Sequence, residues 1–203
     1  MYNGAFVQDI FPVKIYCEFT KNTDPINYQK LQKSCGQMLE TFDIGNIGKP
    51  DNWPENVSTS FRNENVNNLF DGHKEVEYII TEKCKRYLAD AFDVHSKIKI
   101  VDSWVNLYEE TQYQFTHNHL ATPDDKTLIS GSYYYNTNGC DGNIVFVNEH
   151  QHDLSTSGHT QRPEEGLLLL FPSWLGHYVQ ANTTNNKRIS FSFNFIKDNT
   201  HGY

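Results

Sequence analysis

Residues 188–195 read R-I-S-F-S-F-N-F. Successive side chains of an extended chain point to opposite faces, so Arg188, Ser190, Ser192 and Asn194 share one face and Ile189, Phe191, Phe193 and Phe195 the other. The apolar face needs a layer to pack against. The polar face, if turned inward, needs polar company, because a buried polar group without a partner is costly. The run Leu128–Asn136 divides in the same way: Ser130, Ser132, Tyr134 and Asn136 oppose Ile129, Gly131, Tyr133 and Tyr135. Asn106 and Tyr108, two residues apart, add to the same lining. A polar face on one strand ordinarily meets water. Here Arg188 opens the strand eleven residues after His177, and a bound anionic small molecule would give the polar lining its partner.

Around this strand the second half of the chain consists of short alternating runs: Lys97–Tyr108, Tyr113–His119, Asn143–Val147, Glu165–Phe171 and His177–Gln180. With the two runs above they predict a mainly β fold, a double-sheet jelly roll or double-stranded β-helix. The first half reads as support. Gln8–Phe19 is extended around Pro12, and Asp24-Pro25 starts a helix with a capping side chain and a proline in the first helical position. Tyr28, Leu31, Cys35, Met38 and Phe42 then recur on one helical face. A second helix over Glu75–Phe92 buries Val76, Ile80, Cys84, Tyr87, Leu88 and Ala91. Between them Ile44–Gly72 reads as a long irregular connection, a candidate lid. The expected organisation of the 203 residues is one domain, with helical support and a long loop over 1–96 and a jelly-roll core over 97–203.

A formal net charge of -8 argues against a protein that coats nucleic acid or an anionic membrane by bulk electrostatics. The longest apolar run, Leu167–Phe171, is far too short to span a bilayer, and the opening M-Y-N-G-A-F-V-Q-D-I does not resemble a secretory leader. A cytosolic location is expected. Cys17, Cys35, Cys84 and Cys140 show no metal or disulfide spacing and are expected to be reduced structural thiols.

Candidate chemistry begins at residues 113–120, Y-Q-F-T-H-N-H-L. If the strand runs through it, His117 and His119 point to one face and reach one metal ion. The apolar strand and turn L-L-L-L-F-P-S-W-L-G-H-Y-V, residues 167–179, deliver His177 as a third imidazole. Imidazole suits iron, zinc, copper and nickel alike. A second H-x-H, His150-Gln151-His152, sits in a polar loop without a strand to orient it and is set aside, as are His73, His95, His159 and His201. The residues alone therefore leave three classes open: an oxygen-activating iron enzyme, a zinc hydrolase, and a non-catalytic jelly roll that binds a carboxylate or sugar.

The order H-x-H, S-Y-Y-Y-N, F-P-S-W-L-G-H-Y-V, R-I-S-F-S-F-N-F resembles the Fe(II)/2-oxoglutarate-dependent oxygenases of the prolyl-hydroxylase type, closest to a small branch found in phages and bacteria. The resemblance covers Trp104 to Ile196. It implies Fe(II) held by His117 and His177, 2-oxoglutarate and O2 as cosubstrates, Arg188 as the partner of the 2-oxoglutarate C5 carboxylate, and Ser190 beside it. Tyr134 and Tyr108 become hydrogen-bonding candidates for the cosubstrate, with Asn106 in the same lining. It further implies hydroxylation of a protein side chain such as proline, a peptide or a metabolite. The wider family has H-x-D where this chain has H-x-H, so His119 becomes the third ligand, with Asp124 or Asp125 as substitutes off the strand face.

Overall fold

The computed structural model describes residues 12–41, 57–61, 68–120, 126–147 and 158–198. Strand β1 (Tyr16–Phe19) runs into a single helical turn, α1 (Thr20–Thr23), and then into helix α2 (Pro25–Thr41). Asp24 caps α2 as its sequence suggests, accepting the Asn27 backbone N–H at 3.3 Å. After the two-residue strand β2 (Ser58–Thr59) comes helix α3 (Lys74–Phe92). The remaining strands are β3 (Ile98–Tyr108), β4 (Gln114–His117), β5 (Thr127–Asn136), β6 (Ile144–Val147), β7 (Gly158–Gln161), β8 (Leu167–Pro172), β9 (His177–Val179) and β10 (Arg188–Lys197).

They form two antiparallel sheets, a six-stranded one in the order β1-β8-β5-β10-β3-β2 and a four-stranded one in the order β4-β9-β6-β7. This is the expected jelly roll. The two faces of β10 do what their chemistry requires. Phe191, Phe193 and Phe195 pack with Leu31, Cys35 and Met38 of α2 and Val76, Ile80 and Cys84 of α3, so both helices cover the outer face of the large sheet. Gly131 of β5 leaves room for this layer: a Cβ there would stand 2.4 Å from the Phe193 ring and 2.7 Å from the Leu169 carbonyl. Between the sheets a second core joins Tyr134, Leu167, Leu169 and Phe171 to Ile144 and Phe146. Arg188, Ser190, Ser192 and Asn194 turn into that interior and are all buried. The register pairs Arg188 with Tyr108, Ser190 with both Asn106 and Tyr134, and Ser192 with Ser132.

Three expectations need correction. Strand β4 ends at His117, so His119 lies beyond it rather than on the same strand face. The segment read as an irregular connection contributes β2 and an isolated bridge from Asn68 to Ser103, both on the edge of the large sheet; residues 44–56 and 62–67 of it lie outside the described residues. Strand β7, G-H-T-Q, was not foreseen, because three of its four residues are exposed at a sheet edge and carry no apolar alternation. The pair His150 and His152, Asp124, Asp125 and His201 also lie outside the described residues. Among the described residues no helix is long and apolar enough to cross a membrane.

The helices are tied to β1 by charge as well as packing. Lys83 of α3 donates to Glu18 at 2.7 Å and to Asp24 at 2.8 Å. Burial opposes the Glu18 charge, but hydrogen bonds from Lys83, Tyr16 and Thr23 outweigh it and hold the carboxyl below its ordinary range. The Lys83 hydrogen bond does the same for Asp24. Carboxyls depressed in the folded state contribute stability above their unfolded values, about 4.3 for Glu and 3.9 for Asp, and lose it as pH falls through the folded values. Lys83→Met is expected to cost about 1–3 kcal/mol at pH 7, between exposed and buried ion pairs. Urea unfolding checks this: the gap between wild type and variant narrows at pH 3, whereas an equal gap at both pH values would assign the loss to packing alone.

Candidate active site

The jelly roll brings His117, His119 and His177 together, with one ring nitrogen from each lying within 4.8 Å of the others. His117 and His177 are direct cross-strand partners in β4 and β9, and their ring centroids are 4.4 Å apart. The His119 ring stacks nearly parallel on His117, at 16° and 5.5 Å. Although His119 lies past the end of β4, its backbone N–H donates to the Ser173 carbonyl at 2.9 Å, which holds it against the turn that precedes β9.

Each ring has its Nδ1 on an oxygen that can only accept. His117 donates to the Phe115 carbonyl at 2.8 Å, His177 to the Leu175 carbonyl at 2.9 Å, and His119 to Asn194 Oδ1 at 2.8 Å. A proton fixed on Nδ1 makes Nε2 the acceptor nitrogen of the ring, which is the tautomer a metal ligand needs. Burial keeps His119 and His177 neutral. It holds His119 down at about 4, with the neighbouring His117 adding to the effect. His177 is pushed well below its usual value, chiefly by burial and then by the other two imidazoles. Trp104 and Phe171 pack on His119 at 5.5 and 6.0 Å, and Phe171 on His177 at 4.9 Å, so aromatic walls fix the rings. Three imidazoles with ring nitrogens this close together fit a divalent first-row metal.

At the other end of β10, Arg188 is 1 % exposed. Its guanidinium lies 3.8 Å from the centroid of the Tyr108 ring. Nη1 donates to the Gly142 carbonyl at 2.6 Å and the Asp141 carbonyl at 3.3 Å. That corner is closely fitted: Gly142 has φ +100°, and a Cβ there would stand 2.3 Å from the Gln180 carbonyl and 3.1 Å from Nη1. Arg188 Nε is buried without a hydrogen-bond partner, and no carboxylate pairs with the guanidinium among the described residues. A buried charge without a counterion is costly, so an anionic ligand fits this place.

The other residues singled out in the sequence fall into two groups. Tyr134 and Ser190 are buried residues whose hydroxyls make no hydrogen bond among the described residues, so both are available to a ligand beside Arg188. Asn106 and Tyr108 are already engaged. Asn106 accepts from Thr59 at 2.7 Å and donates to Ser192 at 3.3 Å. The Tyr108 hydroxyl donates to Gln114 Oε1 at 2.8 Å. The sequence reading missed Asn194 as a site residue, although its place on the polar face of β10 was the available signal. It also missed the Asp141–Gly142 corner, where the acceptors are main-chain carbonyls.

With this geometry in place, comparison with known proteins is direct. Residues 102–194 match the sequence model of a family described as 2OG-Fe(II) oxygenase. No curated protein sequence matches the chain. Among solved structures, a Pseudomonas putida prolyl-4-hydroxylase is similar at 12 % identity and TM-score 0.63, over 92 % of this chain and 94 % of that one. A Trichoplax adhaerens prolyl hydroxylase, solved with a hypoxia-inducible-factor peptide fragment, shows 14 % identity and TM-score 0.61 over 90 % and 83 % of the two chains. A viral collagen prolyl hydroxylase of Paramecium bursaria Chlorella virus-1, solved with 2-oxoglutarate, shows 14 % identity and TM-score 0.57 over 91 % and 96 %. At these identities the structural likeness speaks for the fold alone.

Proposed function

We propose that this chain, an oxygenase of the 2OG-Fe(II) type, acts as one domain that couples oxidative decarboxylation of 2-oxoglutarate to hydroxylation of a C–H bond on a second substrate. The observation that carries this reading is the combination in one jelly-roll interior of three Nε2 lone pairs and a buried arginine without a counterion. Ferrous iron and 2-oxoglutarate, when bound, supply the oxygen activation: 2-oxoglutarate is oxidised to succinate and CO2, and one oxygen atom of O2 is inserted into the substrate C–H bond. The rest is the work of this chain's own residues.

His117, His119 and His177 would hold the iron. Arg188 would pair with the C5 carboxylate through Nε and the part of its fork not committed to Gly142 and Asp141, which is the geometry that suits a guanidinium to a carboxylate. Stacking on Tyr108 and the two carbonyls hold the guanidinium in place beforehand, so little order has to be imposed on binding. Ser190 and its cross-strand partner Tyr134 would donate to the cosubstrate beside Arg188. Leu167, Leu169, Phe171 and Phe146 pack with Tyr134 and give this space an apolar wall.

A protein side chain is the substrate class we favour, with prolyl residues the first to test, because solved relatives with this fold include prolyl hydroxylases. In support, Leu120 and Trp174 are exposed apolar residues directly after His119 and Ser173, which the backbone hydrogen bond joins, so they offer contact surface beside the histidines. A zinc hydrolase would leave the buried charge of Arg188 without a purpose. The test is succinate formation from 2-oxoglutarate by protein loaded with ferrous iron. Succinate that requires both iron and O2 is expected even without the substrate; its absence with iron demonstrably bound would sink the proposal.

A further inference from the structure

We propose that Asn194 is the positioning residue that makes His119 a metal ligand, and that Ser130 and Ser173 hold it to that task. The inference rests on the metal site proposed above. It starts from an asymmetry among the three histidines. His117 and His177 lie in strands, and each donates its Nδ1 proton to the main-chain carbonyl two residues earlier in its own chain segment. Their orientation is therefore set locally. His119 lies past the end of β4, has no strand register of its own, and reaches across to a side chain of the opposite sheet.

That side chain is itself held. Asn194 Oδ1 accepts from the Ser130 hydroxyl at 2.7 Å as well as from His119 at 2.8 Å. Ser130 Oγ lies 2.9 Å from Ser173 Oγ. With the Ser130 proton given to Asn194, Ser173 donates to Ser130. The Ser173 carbonyl in turn accepts the His119 backbone N–H. The hydrogen bonds close a ring that runs from the His119 backbone through Ser173, Ser130 and Asn194 back to the His119 imidazole. Ser130 and Ser173 are fully buried and Asn194 is 6 % exposed, so water does not compete within it. The ring replaces the strand pairing that His119 lacks.

The amide's orientation matters as much as its place. An oxygen facing the imidazole requires the proton on Nδ1 and points the Nε2 lone pair to the metal. A nitrogen in the same place would require the proton on Nε2 and leave the ring unable to bind. Asn194→Leu removes the acceptor while keeping the branched four-atom skeleton, whereas Asn194→Asp keeps an acceptor in the same position. A residue that merely fills space would not distinguish the two.

The experiment combines proton–nitrogen NMR of the imidazoles in the metal-free protein with titration by Ni(II). The wild type is expected to show the His119 proton on Nδ1. Asn194→Leu is expected to lose that resonance and to bind Ni(II) roughly 10–100-fold more weakly, the range for residues that orient metal-bound histidines. Asn194→Asp is expected to keep both. Leu and Asp variants that bind alike, whether both strongly or both weakly, would overturn the assignment, as would a wild-type His119 protonated on Nε2. Should Asn194→Leu not fold, Ser130→Ala removes one hydroxyl only; it is expected to weaken Ni(II) binding several-fold, and unchanged binding would contradict the closed ring. A wild type that binds no Ni(II) would instead reject the metal site itself, while the NMR of the metal-free protein still reads the tautomer.

Discussion

Arg188→Ala is expected to reduce 2-oxoglutarate affinity by more than about 100-fold while leaving metal affinity within a few-fold of wild type. The first half follows from the strength of hydrogen bonds to charged groups, about 1.5–3 kcal/mol each, of which a carboxylate on Arg188 would make at least two. The second half follows from where the ligands are held. The Nδ1 partners of the three histidines are Phe115, Leu175 and Asn194, and none of them touches Arg188. The variant leaves the Asp141 and Gly142 carbonyls short of a donor, which costs stability, but it also removes a buried charge that has no counterion among the described residues, which restores some. Arg188→Lys is not expected to rescue, because a lysine ammonium cannot both satisfy that corner and present a planar fork. Isothermal titration of each ligand separately checks the split; equal loss of metal and 2-oxoglutarate binding would show that Arg188 serves structure instead.

His177→Ala is expected to have the largest effect on the metal. It removes one of the three proposed ligands from the middle of a packed aromatic group that includes Phe146, Phe171 and His117. The loss of affinity is expected to exceed the roughly 10–100-fold typical of residues that only orient ligands. Thermal unfolding gives a simple readout. A ligand at 100 times its Kd stabilises by about 2.7 kcal/mol, which in a chain of this size raises Tm by roughly 5–10 °C. Ni(II) should raise the Tm of the wild type by that amount and leave His177→Ala unchanged. A variant whose Tm still rises would place the metal elsewhere.

Much of this site could be read from residue order. The three histidines stood out because two of them sit two residues apart beside an alternating run and the third follows an apolar strand. Arg188 stood out because it heads a strand whose faces differ completely. What could not be read depends on where elements end. The spacing of His117 and His119 suggested one strand face, yet β4 stops at His117, and the rings converge because Asn194 and Ser173 hold the second one. Nothing local in the sequence marks that strand end. The Asp141 and Gly142 carbonyls are equally silent, since a main-chain acceptor has no side-chain signature. Strand β7 escaped for the opposite reason: an exposed edge strand is stabilised by backbone pairing to β6 and needs no apolar pattern. Asn106 and Tyr108 illustrate a further limit. Their face was read correctly, but whether a buried polar side chain is free for a ligand depends on neighbours such as Thr59 and Gln114 that come from distant parts of the chain.

The most direct test is anaerobic titration of the ferrous protein with 2-oxoglutarate, followed in the visible range. A charge-transfer band that grows and saturates, and that is absent from Arg188→Ala with iron still bound, is the expected result. Iron bound by the wild type with no band at any 2-oxoglutarate concentration would contradict the joint metal and cosubstrate site.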